Sequence, residues 1–551
     1  MLKRTQLLTD VLVIGGGAAG VISALKAHEL GADVTIICKQ KVGKSGNTIV
    51  SGSAFSVVVK EESNPDNEEV FYDDLIKSGK GINHPELAKV LATNSSQTIG
   101  WLENHGMKFF KKDNEYVKRQ PPGHSYPRSV PTEWEGYSYM ARGLSFMKPL
   151  HLSVLEKKIK ILEHSMVYNL VKQNNKVVGA IAIDAKKNEL IEIACKAVIL
   201  ANGGAGNMFS QNNNTVGITG DSYALAYEIG AILKDMEFVQ FYPTMMIEPI
   251  KMPASNPLFG DGAVLRNKRK ELFVHNYVEG GDRVATRDKM AQAIFQEVRD
   301  GNGVKGGVYF DCSQIPKEVL ETKYVHFCRQ LRKNKIDPYK DMVIVSPTTH
   351  YFLGGIKINS KCESNISGLY AAGEAATGIH GANRLSGCSI ADTVVFGIIA
   401  GEEAARYSKE CKLENIEATC GIGIQNIQKL FQYKNNSHRI SEKRELLRDI
   451  MWDCASVIRE EKKLNEGLFK LLELEKNLDH ILIENSKDLV SYRELTNMIT
   501  VGKLVIQGAL KRKESRGSHW RIDFLNEDEN YIGNHEYYQE GERLNINFYP
   551  I

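Results

Sequence analysis

The run Asp10-Val11-Leu12-Val13-Ile14 leads directly into Gly15-Gly16-Gly17-Ala18-Ala19-Gly20, and Val21 to Leu30 follows with helix-forming residues. A short apolar strand, a glycine turn, a helix and a second apolar run, Asp33 to Cys38, describe the opening of a parallel α/β sheet. The glycines match G-x-G-x-x-G. They permit a tight turn and let the helix N-terminus approach a pyrophosphate, whose charge its free amides and dipole favour. In this setting a dinucleotide site is expected. A generic site of this kind ends its second strand in a carboxylate that holds ribose hydroxyls. Cys38-Lys39 stands there instead.

Size and composition bound the rest. At 551 residues the chain exceeds one ordinary domain, and two to four are expected. A composition that is 42% hydrophobic and 25% charged reads as globular. Net charge is +3 with mixed signs, which gives no basic footprint for nucleic acid. No apolar run reaches the roughly 18 residues of a membrane span, and the N-terminus reads as strand, not leader. The nine cysteines contain no C-x-x-C, so no metal or iron–sulfur site is expected. Reduced thiols and a cytoplasmic location are the expectation.

Other segments carry more specific chemistry. Ala197-Val198-Ile199-Leu200-Ala201-Asn202-Gly203-Gly204 reads as a buried strand and turn, and Thr219-Gly220-Asp221 precedes a helix. Lys44 to Ser53 is rich in small polar residues. Gly368-Leu369-Tyr370-Ala371-Ala372-Gly373-Glu374-Ala375 is followed by His380-Gly381-Ala382-Asn383-Arg384-Leu385-Ser386-Gly387-Cys388-Ser389. Thr349-His350-Tyr351-Phe352-Leu353-Gly354-Gly355 and Ala285-Thr286-Arg287-Asp288-Lys289-Met290-Ala291 complete the set. Taken in this order, the segments resemble the flavoprotein subunits of succinate dehydrogenase and fumarate reductase and their relative L-aspartate oxidase. Glu514-Ser515-Arg516-Gly517-Ser518-His519-Trp520-Arg521-Ile522-Asp523 extends that likeness to nearly the whole chain, with Arg516 and His519 read as structural hydrogen-bonding groups.

The resemblance implies an α/β FAD-binding domain of Rossmann type with an inserted α+β capping domain and a C-terminal helical domain. The expected boundaries are 1–238 and 349–412 for the FAD domain, 239–348 for the cap, 413–517 for the helical domain and 518–551 for a polar tail. Ser441 and its charged neighbours suggest a capped helix start. FAD contacts are implied at Gly15, Gly16, Gly17, Ala18, Ala19, Gly20, Cys38, Lys39, Ser45, Asn47, Thr48, Ser51, Gly52, Ala201, Gly203, Asp221, Glu374, Ser389 and Ile390. Membrane-bound relatives carry a flavin-linked His near position 47. Asn47 has no nucleophilic ring nitrogen, so non-covalent FAD is expected. His350 and Arg384 are implied as the clamp on a substrate carboxylate, and Arg287 as the proton donor.

The chain departs from that pattern at the far end of the substrate. The family's Gln-Phe-His-Pro-Thr is here Gln240-Phe241-Tyr242-Pro243-Thr244. If Gly260-Asp261-Gly262 marks the family's Gly-Glu-Gly, its Thr-Glu-Gly-x-Arg becomes Ser255-Asn256-Pro257-Leu258-Phe259. Charge is thereby lost where a second carboxylate would sit, and burying one without cationic donors is costly. Gln240, Tyr242, Ser255 and Phe259 are the expected substrate contacts. The expected substrate is a 2-enoate with a neutral or aromatic far end. Alternatives are a fumarate reductase, succinate dehydrogenase or L-aspartate oxidase with a remodelled clamp, an adenylylsulfate-reductase-like subunit, and a degenerate FAD electron-transfer subunit. Asp261, Arg283 and Asp288 are candidates to replace the missing proton relay. Electrons come from an iron–sulfur or other partner subunit, or from free carriers or oxygen.

Overall fold

A computed structural model describes residues 2–60, 65–121, 123–254, 257–431, 439–478, 481–541 and 543–551. The chain opens on β1 (Lys3–Ile14), α1 (Ala18–Glu29) and β2 (Val34–Ile37). It returns to the same sheet with β3 (Lys160–Leu162), β4 (Ser165–Gln173), β5 (Lys176–Asp184) and β6 (Glu189–Leu200). The strand order is β3-β2-β1-β6-β5-β4. β1 is parallel to both neighbours, with Val11 opposite Val34 on one side and Ala197 on the other. Val11, Leu12 and Val13 are fully buried, as a strand covered on both faces requires.

Beyond the sheet come α2 (Asp221–Glu228), β7 (Leu233–Lys234), β8 (Val239–Glu248), β9 (Met252–Pro253), β10 (Val264–Arg266), α3 (Arg287–Arg299), β11 (Val308–Asp311) and β12 (Val343–Phe352). Strands β9-β8-β12-β11-β10 form a second sheet. Its core, including Met246, Leu258, Phe259, Phe310, Phe327 and Val345, is separate from the main one. The long antiparallel pair β8 and β12 therefore runs from the nucleotide domain into the inserted one, and it carries Tyr242 and His350.

The chain then adds β13 (Gly355–Lys357), β14 (Leu369–Ala371), β15 (Ala376–Thr377) and α4 (Cys388–Glu410). β14 pairs with β6, and α4 packs on α1. Helices α5 (Glu417–Leu430), α6 (Ile440–Ala455), α7 (Glu461–Lys476) and α8 (Ser486–Lys511) follow. α6 starts at Ile440 with Arg439 at its cap and no side-chain capping bond, so Ser441 does not cap it.

Residues 518–551 are not a polar tail. His519 and Arg521 are fully buried, and β16 (Gly533–Glu540) and β17 (Arg543–Pro550) complete a third sheet, β15-β13-β7-β16-β17. Polar composition misleads here because the polar groups are paired inside. Glu237 accepts from Arg512 Nε at 2.7 Å and Tyr537 Oη at 2.5 Å, and it meets His535 Nδ1 at 2.8 Å. Buried polar groups survive only with such partners.

Candidate active site

Two glycines set the depth of the nucleotide cleft. Gly15 has φ +130°, and a Cβ there would lie 2.2 Å from the Ala201 carbonyl oxygen. A Cβ on Gly20 would lie 2.0 Å from the Gly15 oxygen. Both glycines let α1 press against the ends of β1 and β6. α1 begins after Gly17 with no side-chain cap and no acidic residue in its first turn. Its amides thus face the cleft, apart from Ala18 N, which donates to Thr48 Oγ1 at 3.3 Å.

The cleft is lined by Gly15, Gly16, Gly17, Ala18, Ala19, Cys38, Lys39, Ser45, Asn47, Thr48, Ser51, Ala201, Gly203, Asp221, Glu374, Ser389 and Ile390, all proposed from sequence. Gly20 and Gly52 are absent from the lining. Gly20 serves helix packing, and the Gly52 carbonyl lies 3.4 Å from Arg142 Nε. Asn202, Asn213, Thr215 and Gly217 also line the cleft, and sequence reading missed them.

Lys39 replaces the usual acid and is itself held by acids. Its Nζ lies 2.7 Å from Asp221 Oδ2, 2.6 Å from Glu494 Oε1 and 2.8 Å from Thr219 Oγ1. Burial opposes its charge, yet Asp221 and Glu494 outweigh this and raise its pKa. Burial likewise opposes the Asp221 carboxylate, but Lys39, Asn497 and Thr219 hold its pKa below the usual range. Cys38 is no nucleophile: burial and Glu163 push its thiol up to about 12. Asn47 donates to Asn214 Oδ1 at 2.6 Å and accepts from Thr215 N at 3.0 Å. Glu374 accepts from Phe352 N at 3.0 Å, and burial pushes its pKa up to about 7.

The cleft runs on to His350 and Tyr351 on β12. Here Arg384, Arg287, His350 and Tyr242 converge. The Arg384 guanidinium lies over the Tyr351 ring at 4.6 Å and donates to Leu385 O at 3.1 Å, while its Nε has no partner. The Arg287 guanidinium lies 5.7 Å from the Tyr242 ring centre and 3.4 Å from Ser386 Oγ. Among the described residues neither arginine has an acidic partner. Burial lowers the pKa of both. His350 meets Asn213 Oδ1 at 3.2 Å and the Tyr242 ring at 5.7 Å. Burial, then Arg384 and Arg287, holds its pKa well below the usual value. Two guanidinium groups gathered near a neutral imidazole make a site for an anion, since a carboxylate satisfies all three.

The expected substrate contacts divide. Tyr242 stays in the cluster; its hydroxyl donates to Ala254 O at 3.0 Å, so the ring faces are what remain for contact. Gln240 is turned away and donates to Asn383 Oδ1 at 2.9 Å and Arg384 O at 3.1 Å, which positions the Arg384 loop. Phe259 is 3% exposed within the core of the inserted unit, against Phe310 at 5.4 Å. The structure does not bring Phe259 to Tyr242, because its ring fills that core. Ser255 lies outside the described residues. Asp261 is taken by Lys323 at 2.6 Å and by Tyr324, and Arg283 is exposed, so neither serves Arg287.

The model of the FAD binding domain matches residues 10–390, and that of the fumarate reductase flavoprotein C-terminus matches residues 444–551. The chain belongs to the fumarate reductase and succinate dehydrogenase flavoprotein family. It is 39% identical over 531 residues to an uncharacterized FAD-dependent oxidoreductase of Methanocaldococcus jannaschii, covering 96% of this chain and 95% of that one. It is 32% identical over 524 residues to a chain of the fumarate reductase (CoM/CoB) of Methanothermobacter marburgensis, covering 94% of each. It is 30% identical over 526 residues to the L-aspartate oxidase of Saccharolobus solfataricus, covering 94% of this chain and 96% of that one. Among solved structures, a variant of the FrdA chain of E. coli quinol fumarate reductase superposes with a TM-score of 0.90 at 25% identity, covering 100% of this chain and 97% of that one. Sdh1 of Mycobacterium smegmatis superposes at 0.89 and 27%, covering 100% and 95%.

This flavoprotein is an FAD-dependent oxidoreductase, and its cleft fits FAD. A Cβ on Gly16 would lie 3.0 Å from Val42 Cα, so glycine lets the turn pack closely there while its backbone lines the cleft. The uncapped α1 amides suit a pyrophosphate. No group of His, Cys, Asp and Glu able to hold a metal occurs among the described residues. No helix among them is long and apolar enough to cross a membrane.

Proposed function

We propose that this chain reduces the double bond of a 2-enoate with a neutral or aromatic far end, or runs the reverse oxidation. The observation that carries the reading is Tyr242. It puts an aromatic ring, with its hydroxyl already engaged, beside Arg287 and His350.

Bound FAD would supply the hydride. Arg384 and His350 bind the carboxylate and polarise the adjoining double bond. Arg287 Nη gives the proton to the other carbon. Arginine is normally protonated at working pH, so it acts as a donor that must be recharged. The inserted unit closes the site against water, which strengthens these charges. Electrons reach the site from an iron–sulfur or other electron-transfer partner subunit, or from free carriers, in a cytoplasmic enzyme.

Fumarate reduction is the second reading, favoured by one observation. Arg142 acts electrostatically on the Tyr242 hydroxyl, so the far end is not devoid of positive charge. The test is anaerobic. The holoenzyme is reduced with dithionite, freed of excess, and followed near 450 nm with cinnamate, urocanate, crotonate or fumarate. Fast reoxidation by an enoate with a neutral far end and slow reoxidation by fumarate is the expected result. Equal or faster reoxidation by fumarate overturns it.

A further inference from the structure

A second, small cavity lies beside Arg287. Gln240, Arg287, Asp288, Gln292, Asn383 and Ser518 supply its polar lining. It offers about 10 Å³, room for the centre of one water molecule. Two side-chain oxygens in that lining, Gln240 Oε1 and Ser518 Oγ, have no hydrogen-bond partner in the protein. Their residues are only 4% and 9% exposed. Buried polar atoms without protein partners, beside a polar space of this size, mark an ordered water site.

The neighbours of this site give it a task. Arg287 has no acidic partner among the described residues, and its Ser386 contact is long at 3.4 Å. Asp288 is the next residue on α3 and half-buried. Among the described residues its carboxylate makes no hydrogen bond or ion pair, although Asp261 of the inserted unit is fully engaged. Asp288 and Gln292 line the cavity, and both are only half-buried, so each keeps some contact with solvent.

We propose that the cavity holds one water that carries protons from Asp288 to Arg287, so that Asp288 is the relay residue of the site. The inference rests on the reading of Arg287 as proton donor. Per turnover, Arg287 gives one proton to the substrate carbon, the water returns one to Arg287, and the Asp288 carboxyl returns one to the water after taking it from solvent. One solvent proton is consumed, and the relay undergoes no redox change. Gln240 and Ser518 hold the water in place.

Two measurements test this. A crystal structure of the FAD-loaded protein should show a water within hydrogen-bond distance of Arg287 and of Gln240 Oε1 or Ser518 Oγ; an empty cavity overturns the relay, whatever the substrate. On the enoate that the wild-type protein reduces, Asp288→Asn should lower kcat about 100-fold with KM unchanged. Formate should restore part of the rate, and Asp288→Glu should retain most of it. An unchanged kcat, or a loss that formate does not relieve, overturns the proposal. Ser518→Val, which fills the space without touching Asp288, should lower kcat in the same way and serves if Asp288→Asn does not fold. Failure of the wild-type protein on every enoate strikes the proposed function, and the crystal structure then decides the water site alone.

Discussion

Lys39 Nζ and Glu494 Oε1 form a 2.6 Å ion pair across 455 residues of chain, tying the nucleotide cleft to α8 of the helical domain. Because Lys39 also lines the cleft, the pair should couple cofactor binding to the packing of that domain.

Glu494→Gln should therefore cost about 1.5–3 kcal/mol of stability, since it removes the charge that both Lys39 and Arg444 pair with but leaves Lys39 paired with Asp221. It should also weaken FAD retention. The pH dependence has a definite sign. The raised pKa of Lys39 gives stability that is present below about 10.4 and lost as pH rises through the folded value. The lowered pKa of Asp221 gives stability present above about 3.9 and lost as pH falls. The cost of Glu494→Gln should be constant from about pH 5 to pH 9. Thermal melts and FAD titrations across that range check it; a wild-type melting temperature in the variant would refute the coupling.

Tyr242 and Phe259, which sequence reading groups together, should behave differently. Tyr242→His returns a ring N–H donor to the far end of the site and should raise kcat/KM for fumarate about 10-fold or more, while lowering it for aryl acrylates. The Ala254 carbonyl keeps its bond from Thr244 Oγ1 at 2.7 Å, so the loss of the tyrosine hydroxyl is tolerated. Phe259→Ala should instead cost about 3–5 kcal/mol in the inserted unit's core and leave the ratio of the two substrates unchanged. Steady-state kinetics and a denaturation curve separate the two. A specificity shift in Phe259→Ala would place that ring in the substrate site after all.

That division marks what the sequence carries and what it does not. The glycine turn is legible because G-x-G-x-x-G between strand and helix has few physical meanings, and the structure explains Gly15 and Gly20 by close backbone approach. Arg384, Arg287, His350 and Tyr242 stand out because each sits in a distinctive local string, and the pairing of β8 with β12 accounts for the approach of Tyr242 to His350. Partners remote in sequence are not legible: nothing near Lys39 announces Glu494, and nothing near His350 announces Asn213. Tyr351 beneath Arg384 adjoins His350 and could have been suspected. The β16–β17 hairpin is hidden because its polar residues read as solvent-facing, although Asn534, His535 and Tyr537 are buried on Asp235 and Glu237.

Asn47 should leave FAD releasable. It spends its amide on Asn214 and its carbonyl oxygen on Thr215, and it offers no nucleophilic nitrogen. Acid precipitation should give a colourless pellet and a yellow supernatant. Asn47→Ala should loosen the loop and raise the FAD dissociation constant, because both bonds are lost. A yellow pellet, or a peptide bearing flavin mass, would refute non-covalent binding.

His350 should make carboxylate binding take up a proton. Burial, then Arg384 and Arg287, keeps its pKa well below the usual value, so the imidazole is neutral near pH 7. A bound carboxylate places an opposite charge beside it and raises that pKa. Between the free and bound values, affinity falls as pH rises, by up to about tenfold per pH unit. The stability sign is consistent. A depressed folded pKa gives stability that is present above about 6.5 and is lost as pH falls below it, because the unfolded chain takes the proton first. Bound carboxylate relieves this loss, so it should raise the melting temperature more at pH 6 than at pH 8. Calorimetric titration of the oxidised holoenzyme with cinnamate at pH 6, in buffers of different ionisation enthalpy, should show proton uptake. His350→Gln should abolish it. Heats independent of buffer in the wild-type protein would mean that Arg384 and Arg287 bind the acid without the imidazole.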